Sequence, residues 1–240
     1  RDSPRRRGGD LPDSGPRRDA APPEGRSCQA GLTPMEWLKK QHRALWRFYR
    51  ETFGEALLMT TAAFLIICLL GFGVSLLNKS IPEFVVAYFS QMVQDGNIVT
   101  DDGTIHFWAL LGNNLRASVI SVLYGFIPFI YLTALSVGMN ALILGVLAAY
   151  YVGSGTSLLI YFAGILPHGI FELPALLIAF ALGLLLCRRI TQYVRKNTKG
   201  MMKPLLCNIA RCFVMHVLPL LAVAAVVETY ITPAILALFM

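Results

Sequence analysis

Leu166-Pro167-His168-Gly169-Ile170-Phe171-Glu172-Leu173-Pro174 lies inside an apolar run from about Thr156 to Leu186. Such a run is long enough to cross a bilayer as a helix, which takes about 20 apolar residues. Two prolines flank a histidine and a glutamate four residues apart. On a helix, His168 and Glu172 stand one above the other on a single face. A carboxylate at the centre of a membrane helix costs about 2.5–3.5 kcal/mol on insertion scales, so Glu172 needs a partner or a watery cavity. Proline removes a backbone donor and clashes with the turn before it, so the helix is expected to break at Pro167, Gly169 and Pro174.

The rest of the composition fits a membrane protein. The chain of 240 residues is 55% apolar, with a mean hydropathy of +0.58. At about 20 residues per crossing there is room for five or six spans and no separate soluble catalytic domain. The expected class is all-α, a polytopic membrane helix bundle. The formal charge of +7 sits mostly outside the apolar runs, where it sets orientation and meets anionic headgroups. Nucleic acid is not an expected partner, because no basic surface with interleaved aromatics is present. None of the five cysteines has C-x-x-C spacing, so free thiols are expected.

Residues 1–33 carry seven arginines, five acids and few large apolar side chains, the composition of a disordered tail. The segment 34–54 has Leu38, Leu45, Phe48, Tyr49 and Phe53 near one face, basic residues elsewhere and two tryptophans. It is expected to be an amphipathic juxtamembrane helix on the membrane surface, or else docked on the protein's own loops. The five-span domain, 55–240, follows. Ala56–Leu77 is the first span, and the loop 78–106 after it is rich in acids. Since Lys and Arg mark the cytoplasmic side, the amino terminus is expected inside and this loop outside. Pro82 is placed to start an external helix whose stripe is Val85, Tyr88, Phe89 and Met92. That helix is either a lid on the bundle or a dock for another protein.

The second span, from Phe107, carries Asn113, Asn114 and Arg116, and the third, from Tyr131, carries Asn140. In the third, Ala141, Gly145, Ala149 and Gly153 recur every four residues, which permits close helix approach within the bundle or in a homodimer. The fourth is expected to end at Arg188 and Arg189, opening a basic cytoplasmic loop to Lys203. The fifth carries His216 and Glu228 and leaves the carboxyl terminus outside.

Membrane-embedded polar groups face an interior or a cavity and pair with each other. Asn113, Asn114, Arg116, Asn140, His168, Glu172 and Glu228 are therefore expected to meet as one intramembrane cluster, with Arg116 paired to Glu172 or Glu228. The cluster reads either as a polar clamp that fixes helix packing or as a site for an ion or anionic group. His168 and Glu172 supply two metal ligands where zinc hydrolases use three, and H-E-x-x-H is absent. Neither a metal, a cofactor nor a catalytic residue is expected.

The string Leu166 to Ala175 (L-P-H-G-I-F-E-L-P-A), the pair Asn113-Asn114, Asn140, and Val227-Glu228-Thr229-Tyr230-Ile231-Thr232-Pro233 together resemble the stage II sporulation protein M family. The resemblance covers about Ala56 to Thr232 in order, with the same five-span layout. It departs at Ala141, where the family pattern has glycine, also a small residue. It implies a multi-pass protein of the bacterial cytoplasmic membrane that is not itself a hydrolase. Such a scaffold recruits two extracytoplasmic peptidoglycan-degrading enzymes, the sporulation proteins D and P, during forespore engulfment. The alternative is a transporter or channel-like component in which His168, Glu172 and Arg116 line a path.

Overall fold

The computed structural model describes residues 33–78, 80–95, 105–196 and 202–238. Nearly all of the expected disordered tail, the distal part of the loop 78–106 and the end of the basic loop lie outside these residues. Among the described residues every element is helical, without a strand.

Helix α1 (Pro34–Phe48) starts at a capping box. The Thr33 hydroxyl accepts from the Glu36 amide at 3.2 Å, and the Glu36 carboxylate accepts from the Thr33 amide at 3.0 Å. The helix does not stop at Phe48. It continues through a π-helical turn, Tyr49–Phe53, into α2 (Gly54–Leu77), making one helical run of 44 residues. Of the two arrangements expected for 34–54, the packing seen is a helix docked on the protein itself, on other helices rather than on loops. Leu45, Phe48 and Phe53 are buried against Leu182, Leu185 and Leu186, and against Leu205, Ile209 and Cys212 of α7 (Met202–Cys212). Burying each such side chain away from water is worth about 1.5–3 kcal/mol, so an apolar stripe with a matching partner stripe docks on it rather than facing water. Trp37 and Trp46 lie off this face and remain exposed.

Helix α3 (Ser80–Asp95) packs on α5 (Leu132–Gly153), which lies mainly along α2. The small-residue stripe is used at this second contact. Ala141, Gly145 and Ala149 are buried, and a Cβ on Gly145 would collide with the Cys68 carbonyl oxygen. The other face of α2 leaves Leu58, Leu65, Ile66, Leu69 and Leu70 exposed. An apolar face of that extent suits lipid rather than water.

Helix α4 (Phe107–Leu123) ends in a 3₁₀ turn, Tyr124–Phe126, before a tight connection to α5. In that connection Phe129 and Tyr131 adopt φ of 71° and 51°, a region costing non-glycine residues about 1–3 kcal/mol. Anchors from α6 (Leu158–Lys196) hold it there. The Phe129 amide donates to Thr191 Oγ1 at 3.1 Å, Cys187 Sγ reaches the Ile127 carbonyl, and the Arg195 guanidinium lies 5.6 Å over the Phe129 ring.

Helix α6 corrects the expectation of a break at Pro167, Gly169 and Pro174, because its 39 residues run through all three. Each proline deletes one ladder bond. In an apolar slab no water competes for the remaining backbone groups, and neighbouring helices hold the flanking turns. The helix also continues past Arg188 and Arg189, so Arg195 is helical rather than in a loop. Cations in a last turn complement the helix dipole. Central in the bundle, α6 touches α2, α4, α5 and α8 (Leu218–Val226). Beside Gly183, the Thr133 hydroxyl donates to the Ser121 carbonyl at 2.8 Å.

The last run, Met202–Leu236, comprises α7, a π turn at Phe213–Val217, α8, a second π turn at Val227–Ile231, and α9 (Thr232–Leu236). Pro219 and Pro233 stand just after the two π turns. The wider turn draws aside the carbonyl that a proline ring would strike.

Pro34–Leu77, Leu132–Gly153, Leu158–Arg195 and Met202–Leu236 are each long and apolar enough to cross a membrane. With 17 residues, α4 is shorter than these. The fold is that of an all-helical membrane protein.

Candidate functional site

His168 and Glu172 project from α6 one turn apart, and the final helical run brings Glu228 and Thr232 to them. Glu228 lies within the second π turn. That turn inserts one residue per hydrogen-bonded ring and so re-aims the side chain relative to a regular helix. The Val227 carbonyl accepts the Thr232 amide across the π turn, and also the Thr232 hydroxyl at 3.3 Å.

One imidazole nitrogen of His168, Nδ1, is 3.4 Å from Thr232 Oγ1. The other, Nε2, is 3.9 Å from Glu172 Oε2, beyond hydrogen-bond length. One ligand-capable atom from each of His168, Glu172 and Glu228 lies within 4.8 Å of the others, and all three residues are half-buried. The i, i+4 pair visible in the sequence offers two ligand-capable side chains; the tertiary fold adds a third from another helix.

The other four members of the expected cluster do not join it. Asn113 and Arg116 are exposed on α4, Asn114 is half-buried, and exposed Asn140 donates to the Ser136 carbonyl of its own helix at 2.9 Å. Among the described residues no ion pair links Arg116 to Glu172 or Glu228. The reason is azimuth. Leu111, Leu115 and Val122 turn one face of α4 onto the core with α6 and α8, and Asn113 and Arg116 fall on the other side. Depth can be counted along a sequence, but the facing of an irregular apolar helix cannot.

The stripe expected on α3 is also redrawn. Val85 is half-buried on α3 while Tyr88 is 51% exposed, and the side chains of Phe89 and Met92 lie outside the described set. Phe84, which that stripe left out, is 73% exposed one turn before Tyr88. The i, i+4 aromatic spacing was its signal.

A second polar group joins the two long helical runs and escaped the sequence reading. The Tyr49 hydroxyl stands 3.1 Å from His216 Nδ1 and 3.3 Å from Cys212 Sγ. Nearby, the Arg211 guanidinium donates to Gln41 Oε1 and to Asn208 Oδ1. Apart from the local Arg211–Asn208 bond, these contacts join positions more than 160 residues apart, which no local pattern reveals.

A family model described as "Stage II sporulation protein M" matches residues 59–233, a range that includes His168, Glu172, Glu228 and Thr232. The chain is similar to an uncharacterized protein of Methanocaldococcus jannaschii, with 31% identity over 131 residues, 54% of this chain and 72% of the relative. No solved structure matches.

Proposed function

Because the chain belongs to the stage II sporulation protein M family, we propose that it is a multi-pass membrane anchor that recruits extracytoplasmic peptidoglycan-degrading enzymes. The setting is a bacterial cytoplasmic membrane, and the partners are enzymes of the kind of sporulation proteins D and P, as in forespore engulfment. The protein is itself a scaffold, not an enzyme. On this reading five helical runs cross: α2, α4, α5, α6 and the run from α7 to α9. The amino terminus is cytoplasmic and the carboxyl terminus extracytoplasmic. At 1.5 Å per residue, α4 spans about 26 Å, close to the roughly 30 Å of hydrocarbon.

The observation that carries the docking role is the exposed pair Phe84 and Tyr88 on α3, a helix braced against α5. Aromatic anchors held on a rigid element lose little entropy on binding and commonly dominate interface energy. The test is photocrosslinking from position 84 or 88 in membranes, followed by mass spectrometry. A cell-wall hydrolase is the expected product. Recovery of only permease or ATPase subunits overturns the reading.

The half-buried His168, Glu172 and Glu228 favour a second reading, a transporter or channel-like component. Glu172→Gln separates the two. A scaffold loses folding or abundance, whereas a transporter stays abundant and loses pH-dependent flux.

A further inference from the structure

The two nitrogens of His168 have different roles, set by Thr232. A carbonyl can only accept, so the Thr232 hydroxyl, 3.3 Å from the Val227 carbonyl, gives its proton there. Its oxygen then acts as acceptor toward His168 Nδ1 at 3.4 Å, and Nδ1 carries the ring proton. Nε2 is left with its lone pair facing Glu172 Oε2 at 3.9 Å. Glu228 brings a second carboxylate to the same point, so three electron-pair donors converge. Among the described residues no lysine or arginine lies within ion-pair distance of either carboxylate.

Converging lone pairs inside an apolar bundle repel unless a cation or protons sit between them. Two carboxylates match the charge of a divalent cation, which leaves the site neutral. An imidazole nitrogen selects a transition metal over magnesium or calcium, which take oxygen ligands. Metal–ligand bonds of about 2.0–2.2 Å put two ligands of one ion about 3–4 Å apart. The His168–Glu172 separation of 3.9 Å falls in that range, and small rotations of the glutamates close the widest, 4.8 Å. The Thr232 hydroxyl, bonded to the ring nitrogen away from Glu172, orients the imidazole as partners of ligating histidines do. A π turn carries the third ligand, and such turns recur at functional sites.

We propose that His168 Nε2 and one carboxylate oxygen each from Glu172 and Glu228 bind a single divalent transition-metal cation of the zinc class. The ion bridges α6 to the last helical run. It keeps a coordination position open, as three-ligand zinc sites do. Thr232 is a positioning residue. The site goes beyond the docking role and does not depend on what binds the exterior.

The test uses the full chain, purified in detergent, stripped with a chelator and titrated with Co²⁺. Wild-type protein is expected to show visible d–d absorption that saturates at about one equivalent and is displaced by Zn²⁺. Thr232→Val should retain the bands with 10–100-fold weaker binding. Glu228→Gln should abolish them, while His42→Gln, an exposed position on α1, should keep them. Where Glu228→Gln fails to fold, Glu228→Cys replaces the carboxylate with a thiolate and should add a sulfur-to-cobalt charge-transfer band. Monodisperse wild-type protein without the bands overturns the proposal, since the carboxylates then hold protons instead. So do bands that survive Glu228→Gln, or a Glu228→Cys protein whose bands lack the charge-transfer feature.

Discussion

Tyr49 and His216 each sit in a π-helical turn and meet across 167 residues of sequence, with the tyrosine hydroxyl 3.1 Å from Nδ1. Their rings also pack edge to face, with centroids 5.5 Å apart. The contact ties the first helical run to the last, beside the buried cluster of Leu45, Phe48 and Leu205.

Tyr49→Phe keeps the ring contact and removes the hydroxyl. It should cost about 1 kcal/mol, the usual net worth of such a hydrogen bond. Reversible unfolding in mixed micelles measures it. Strictly additive losses in a Tyr49→Phe, His216→Phe double-mutant cycle would show that the pair is not coupled.

Gly145 and Gly153 share the small-residue stripe but not the same surroundings. A Cβ at Gly145 meets the Cys68 carbonyl, while one at Gly153 meets nothing within 4 Å. Gly145→Val should therefore destabilise by about 1–3 kcal/mol or more through overpacking. Gly153→Val should do much less. Thermal denaturation of both variants in one detergent checks the contrast, and equal losses would contradict the α2–α5 contact.

Because α6 runs unbroken, Pro167→Ala and Pro174→Ala return a backbone donor to an existing ladder. Stability should hold or rise by up to about 3 kcal/mol, the propensity difference between the two residues in a helix interior. A severe loss for either variant in a thermal melt would mean that the prolines shape the bundle after all.

The Glu36 carboxylate accepts from the amide and the hydroxyl of Thr33, both at 3.0 Å, which holds its carboxyl below the usual glutamate range. A lowered folded-state pKa contributes stability above the ordinary glutamate value, lost as pH falls through the folded one. The first turn of α1 should therefore fray on acidification through that interval, and Glu36→Gln should remove the dependence. Hydrogen exchange at Glu36 and Trp37, corrected for the intrinsic pH effect, reads it out; an unchanged pH profile in Glu36→Gln would refute it.

Composition and periodicity alone establish an all-helical membrane protein, with starts at Pro34 and Phe107 and four runs near the expected places. Hydrophobicity and helix caps are properties of neighbouring residues, so they can be read from the chain. The pair His168 and Glu172 was legible for the same reason, being one turn apart.

Tertiary packing decided the rest. It kept α6 continuous through Pro167 and Pro174, drew α1 onto α7, left Arg116 and Asn140 outside the cluster, and carried Glu228 to His168. Each outcome depends on the rotation of a helix about its own axis against a neighbour distant in sequence. Where every face of a helix is apolar, hydrophobic pattern cannot choose that rotation. Contacts such as Gly145 on Cys68, and π turns that shift the side chains after them, choose it instead.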